Sequence, residues 1–301
     1  ELGMIQGSEK FDVVIIGGGA AGIGVAIALR HAGIENFVVL ERDQVGASFD
    51  AWPAETRFIT PSFATNSIGM LDLNSIAIGI SPAYSLRVEH PNGREYAAHL
   101  RGVAQFFELP IREKSQVRRR TKIGDDFCID TDEETLRATH VIWAAGEFQY
   151  PAVASLNGSE HCRHTATVES YAELEGDDFV VIGGYESGVD AAYHLARRGK
   201  AVRLIDRECP WESESSDPSV ALSTYSLERM RDRRFREHVE LHPMTTITGV
   251  QPSDQGFQIE TESGLTFMTE EQPLLASGFD GSHKLIPDLF EKREDGFPLL
   301  N

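Results

Sequence analysis

Asp12-Val-Val-Ile-Ile-Gly17-Gly-Gly19-Ala-Ala-Gly22 decides the fold. The β-branched run reads as a buried strand, and the Gly-x-Gly-x-x-Gly spacing reads as a tight turn opening a helix of small residues. Downstream, Phe37-Val-Val-Leu40 predicts a second strand, which ends on Glu41, nineteen residues after Gly22. Strand, glycine turn, helix, strand and terminal acid form the unit that binds a dinucleotide. Glycines let a pyrophosphate approach the backbone, and the helix start supplies unpaired amides and partial positive charge. Gly17, Gly19, Ala20, Ala21 and Gly22 are candidate phosphate-binding residues, with Glu41 and its neighbour Arg42 at the ribose.

The same design returns at Phe179-Val-Val-Ile-Gly183-Gly-Tyr185-Glu-Ser-Gly188, followed by Ala201-Val-Arg-Leu-Ile205 ending on Asp206. Each half then runs into short strands, around 115–137 and 246–267, and closes on a small-residue turn, Ala145-Gly146 and Ser277-Gly278. A polar stretch, 212–217, leads to a helix expected over Leu227–His238. The pattern predicts an α/β fold of two Rossmann-like FAD/NAD(P)-binding domains, the second inserted in the first, each with a parallel sheet and a β-meander. Expected boundaries are 8–165 for the first segment, 166–274 for the insert and 275–301 for the return. Gly183, Gly184, Tyr185, Glu186, Ser187, Gly188, Asp206 and Arg207 are the second candidate set. Tyr185 occupies the middle glycine position, so the pyrophosphate either shifts toward Gly183-Gly184 and the amides of Glu186–Gly188 or is not bound. Asp206 suits NADH, whereas Arg207 could pair with the 2′-phosphate of NADPH, and both cofactors stay open.

Composition narrows the function classes. A net charge of −19 opposes a nucleic-acid partner. No apolar run approaches the roughly 20 residues that span a bilayer. The first ten residues lack the basic and apolar regions of a signal peptide, so the expectation is a cytoplasmic protein. Cys128, Cys162 and Cys209 include no Cys-x-x-Cys, which excludes a local redox disulfide. Cys209, before Pro210-Trp211, is a weak reactive candidate. The ten histidines form no metal-ligand spacing, and no metal is expected.

Val141-Ile-Trp-Ala-Ala-Gly-Glu-Phe-Gln-Tyr-Pro151 resembles the Ala-Thr-Gly-x-Phe-x-x-Pro segment that leaves the FAD domain of two-dinucleotide-domain flavoproteins, near their flavin-monooxygenase-like and bacillithiol-disulfide-reductase-like branch. Leu275-Ala-Ser-Gly-Phe279 resembles the matching return crossing, and Gly46-Ala-Ser48-Phe-Asp-Ala-Trp52 the loop that passes the flavin. The resemblance covers residues 11–300. It implies FAD at the first turn, with Ser48, Trp52 and the Val117 backbone among its contacts. Thr65-Asn66-Ser-Ile-Gly-Met70 is similar to a segment whose Asn stands beside the reactive edge of the isoalloxazine, which would make Asn66 the catalytic residue.

Three features depart from the family. The Phe-x-Gly-x-x-x-His fingerprint is not intact around Leu156–His164, and the reductase branch's cysteine beside the first turn is replaced by Ala20 and Ala21. The sequence also stops at Leu300-Asn301, where the family continues to a Gly-Asp segment, so the expectation is missing residues or impaired FAD retention. The implied function is an FAD-dependent NAD(P)H oxidoreductase delivering electrons to a small molecule, a low-molecular-weight thiol substrate or dioxygen, monooxygenase-like. A disulfide, quinone or protein reductase without an internal Cys-x-x-Cys, and a non-catalytic redox sensor, are the alternatives. A homodimer stays open.

Overall fold

Strand β1 (Lys10–Ile16) alternates its side chains between two cores. Val13 and Ile15 pack with Phe37, Val39 and Ala26, while Val14 and Ile16 pack with Val38, Leu40, Ile129 and Leu136. A strand buried on both faces is what a parallel sheet covered by other layers requires. The computed structural model describes residues 8–63, 72–153, 156–294 and 298–299. The chain divides into two units. The first comprises the described residues of Glu1–Asp50, Pro61–Glu147 and Gly281–Asn301, and the second those of Ala51–Thr60 and Phe148–Asp280.

In the first unit, helix α1 (Ala20–His31) crosses from β1 to β2 (Phe37–Leu40), which lies parallel to β1. Helix α2 (Gly93–Phe106) starts at a reciprocal cap in which Asn92 accepts the Glu95 amide at 2.9 Å and Glu95 accepts the Asn92 amide at 2.8 Å. β3 (Ile111–Arg112) adds to β2 in parallel. The meander is β4 (Val117–Ile123), β5 (Asp126–Thr131) and β6 (Thr135–Trp143). β6 also pairs in parallel with β1, giving one six-stranded sheet of order β3-β2-β1-β6-β5-β4. The short strands expected around 115–137 thus end in one strand that runs on to Trp143, held by β5 over its first part and by β1 over most of its length.

The second unit repeats the plan with five parallel strands. These are β7 (Arg163–His164), β8 (Asp178–Ile182), β9 (Ala201–Ile205), β10 (Val239–His242) and β14 (Leu274–Leu275), in the order β10-β9-β8-β14-β7. Helix α3 (Glu186–Arg197) connects β8 to β9. Phe179 and Val181 join a core with Val189, Ala192 and Leu195 of α3, while Val180 and Ile182 pack with Val250, Ile259 and Phe267. The latter three belong to a separate antiparallel sheet of β11 (Ile247–Ser253), β12 (Gly256–Thr261) and β13 (Thr266–Thr269).

The helix expected over 227–238 is two helices, α4 (Thr224–Met230) and α5 (Arg233–His238). The break has a cause: the Asp232 side chain accepts the Arg234 amide at 2.7 Å and starts a new helix. Segment 51–60 is pinned within this unit by Glu55, which accepts Ser170 Oγ, the Tyr171 amide and the Ala172 amide at 2.8, 3.0 and 2.9 Å.

Candidate functional site

The first glycine turn leaves β1 at Gly17, whose amide donates to the Leu40 carbonyl at 2.9 Å. Gly17 has φ +114°, and a Cβ there would lie 2.2 Å from the Ala144 carbonyl oxygen. A Cβ on Gly22 would stand 1.9 Å from the Gly17 carbonyl oxygen. These two glycines are demanded by the fold itself. Gly19 differs, with nothing within 4 Å of where its Cβ would stand. Its open face lies at the start of α1, where the first amides lack partners within the helix.

Glu41, at the end of β2, accepts the Gly18 amide through Oε2 at 2.6 Å and the Asp43 amide through Oε1 at 2.7 Å. Both carboxylate oxygens keep a second lone pair able to accept from a further donor. The Gly46 amide donates to the Gly18 carbonyl at 3.1 Å, so the loop carrying Ser48 is docked on the turn. Ala145 follows Ala144 out of β6, Arg42 and Gly146 are exposed, and Val117 opens β4 opposite Thr131.

The second turn reproduces this geometry almost atom for atom. Gly183 has φ +103°, its amide donates to the Ile205 carbonyl at 2.8 Å, and its Cβ would lie 2.4 Å from the Ala276 carbonyl oxygen. A Cβ on Gly188 would meet the Gly183 carbonyl oxygen at 1.7 Å. Asp206 accepts the Gly184 amide at 2.6 Å and the Glu208 amide at 2.7 Å. Tyr185 fits because that position has ordinary negative φ: −85°, ψ −165° for Tyr185 against −82°, −171° for Gly19. Its hydroxyl donates to the carbonyls of Pro218 and, at 3.1 Å, Ala221, which carries the ring toward that loop.

Duplicated strand–glycine turn–helix–acid units of this kind are the frame of a two-nucleotide redox protein. The profile of the pyridine nucleotide-disulphide oxidoreductase family matches residues 14–301. The chain belongs to this family. It is 27% identical over 294 residues to the bacilliredoxin reductase Bdr of Bacillus subtilis, which spans 89% of this chain and 86% of that protein. It is 26% identical over 192 residues to an uncharacterized oxidoreductase, CzcO, of Bacillus velezensis. That match covers 62% of this chain and about half, 52%, of the relative.

Many solved structures share the fold, among them the following two. The bacillithiol disulfide reductase of Staphylococcus aureus has a TM-score of 0.76 at 19% identity, over 97% of this chain and 85% of its own. A flavin-containing monooxygenase of Stenotrophomonas maltophilia has a TM-score of 0.75 at 19% identity, over 97% and 86%.

This family member carries a cavity of about 220 Å³ within the second unit. Trp52, Phe58, Phe148 and Phe279 supply its aromatic wall, and Glu186 and Ser187 its edge at the start of α3. Trp52 is therefore placed beside the second turn's helix, 5.0 Å between ring centroids from Phe58. The Glu186 carboxylate accepts the Ser223 amide at 2.6 Å and the Ser226 hydroxyl, tying the start of α3 to that of α4. Ser277 donates to the Ala152 carbonyl, and the Gly278 carbonyl accepts from Ala152 at 3.0 Å and from His164 Nε2 at 3.1 Å. Asn66 lies outside the described residues. Gly158, in the broken fingerprint, abuts β11, where its Cβ would lie 1.8 Å from the Val250 carbonyl oxygen.

A buried polar cluster at the cavity was not anticipated from the sequence. Asp190 is 8% exposed and accepts Thr56 Oγ1 at 2.6 Å, while Arg229 donates to it and His194 Nε2 lies 3.3 Å away. Burial alone would raise the Asp190 pKa, yet His194, Arg229 and Thr56 together hold it below the ordinary carboxylate value. An aspartate inside the apolar run Val189-Asp-Ala-Ala was the available signal. Arg229 is flanked by the rings of Tyr225 and Tyr193, at 4.2 and 4.8 Å to their centroids.

The cysteines are scattered. Burial pushes the Cys162 thiol up to about 11, and burial likewise raises Cys128 and Cys209, the latter with help from Glu212. Among the described residues, no group of three or more His, Cys, Asp and Glu side chains could hold a metal ion, and no helix is long and apolar enough to cross a membrane.

Proposed function

We propose that this chain is an FAD-dependent oxidoreductase that draws electrons from a nicotinamide nucleotide and delivers them to a small diffusible acceptor. The matched pair of turns, Gly18–Glu41 and Gly184–Asp206, carries the reading. Once bound, the two nucleotides supply the chemistry, hydride passing from NAD(P)H to the flavin and electron pairs onward from it. The protein's part is to hold and orient them. Open Gly19 and the first amides of α1 would take the FAD pyrophosphate, and Glu41 the adenosine ribose. Gly183–Gly184 and the amides of Glu186–Gly188 would take the second pyrophosphate.

The three thiols favour a direct route to the acceptor. They lie in different elements, and their raised pKa values keep them protonated at neutral pH, unsuited to relay electrons as thiolates. A low-molecular-weight disulfide fits such a route, and it is the substrate class named for the bacillithiol disulfide reductase that shares this fold. The test is anaerobic reduction of the FAD-loaded protein by reduced nucleotide, followed separately by a small disulfide or by dioxygen. Rapid reoxidation by the disulfide supports the reductase reading. Reoxidation by dioxygen alone would transfer the assignment to an oxygen-dependent enzyme.

A further inference from the structure

The acid at the end of β9 stands where a nicotinamide nucleotide bound at the second turn would place its adenosine ribose. Both oxygens of Asp206 are already anchored, Oδ2 by the Gly184 amide at 2.6 Å and Oδ1 by the Glu208 amide at 2.7 Å. The same pair of contacts, at the same distances, holds Glu41 at the first turn. The carboxylate is thus a fixed feature of the fold. Trp211 adds to this by packing against the turn: a Cβ on Gly184 would fall 2.5 Å from Trp211 Cζ3 and 2.9 Å from Asp206 Cβ.

A fixed carboxylate suits a vicinal diol, whose two hydroxyls donate to its remaining lone pairs. It opposes a 2′-phosphate, which brings close to two negative charges and no donor. The surroundings reinforce this. Glu208 follows at 71% side-chain exposure, and Glu212 and Asp206 both help raise the Cys209 pKa, a sign of negative potential along the loop. One nearby cation points the other way. Arg207 is 79% exposed, and its nearest acid is Glu208, 3.9 Å away. An exposed arginine beside two carboxylates provides screened attraction at best.

We infer that the second turn is selective for NADH over NADPH, with Asp206 as the residue that sets the choice. This inference rests on the proposed nucleotide-dependent activity, but binding tests it independently of turnover. Titration calorimetry of the FAD-loaded protein with NAD⁺ and with NADP⁺ is expected to give at least about tenfold tighter binding of NAD⁺. Asp206→Asn and Asp206→Ser, each checked for an unchanged melting profile, are expected to cut that ratio by about tenfold, mainly through weaker NAD⁺ binding. Equal affinities, tighter NADP⁺ binding, no binding of either, or an unchanged ratio in both variants would overturn the inference. NAD⁺ binding that persists without flavin reduction by NADH would instead sink the electron-transfer reading and leave the selectivity standing.

Discussion

Glu41 holds the Gly18 amide at 2.6 Å, so the acid expected to meet the ribose also buttresses the turn expected to meet the pyrophosphate. The two tasks are compatible because a carboxylate has more lone pairs than the two amides use. Glu41→Ala should therefore weaken FAD and loosen the turn together. Hydrogen bonds to a charged group contribute about 1.5–3 kcal/mol, so FAD affinity should fall by about 10- to 100-fold. The flavin-to-protein ratio after gel filtration reads this directly, and a ratio equal to that of the parent would refute the assignment.

The glycines of the first turn separate into two kinds. Gly22→Ala drives a Cβ to 1.9 Å from a backbone carbonyl and should destabilise the unit by about 3 kcal/mol or more. Gly19→Ala meets nothing within 4 Å and should alter stability by no more than about 1 kcal/mol. It should nonetheless weaken FAD binding, because the methyl group stands on the open face at the start of α1, where the FAD pyrophosphate is proposed to sit. Thermal melts of the apoproteins alongside flavin content check the contrast.

Asp190 and Arg229 should behave as a buried ion pair. Asp190→Ala leaves Arg229, whose side chain is 10% exposed, without its carboxylate, and the expected loss is about 3–5 kcal/mol. The double variant Asp190→Leu/Arg229→Met should recover a large part of it. Asp190 also has a pH signature. Its folded pKa lies below the unfolded value of 3.8, so its contribution is complete above that pH and lost as pH falls through the folded value. Acid unfolding of Asp190→Asn should accordingly be shallower below about pH 4.

His164 titrates in a milder range. Burial lowers its pKa from 6.5, Nδ1 accepts the Ala166 amide at 3.1 Å, and Nε2 faces the Gly278 carbonyl at 3.1 Å. The neutral ring with its proton on Nε2 satisfies both contacts. Because the folded state holds the proton less tightly than the unfolded chain, this stability is complete above pH 6.5 and declines as pH falls below it. His164→Asn should flatten the dependence of melting temperature on pH below 6.5.

Local signals carried much of this fold. The β-branched runs of β1 and β8, buried on both faces, the positive-φ glycines and the acid-ended strands are all written within a few residues of each other. So were Gly17, Gly22, Glu41 and their counterparts Gly183, Gly188 and Asp206. What escaped depends on partners distant in sequence. Nothing local indicates that Glu55 will cap Ser170–Ala172, that Thr56 will meet Asp190, or that Trp52 will line a cavity with Glu186. The split between α4 and α5 turned on one competing signal, Asp232, inside an otherwise continuous helical pattern.

The central claim, that two nucleotides are held for electron transfer, is tested most directly by one anaerobic titration. The FAD-loaded protein is titrated with NADH while flavin absorbance is followed. The account predicts complete bleaching at one equivalent of NADH per flavin. Flavin that stays oxidised under excess NADH and excess NADPH would contradict it.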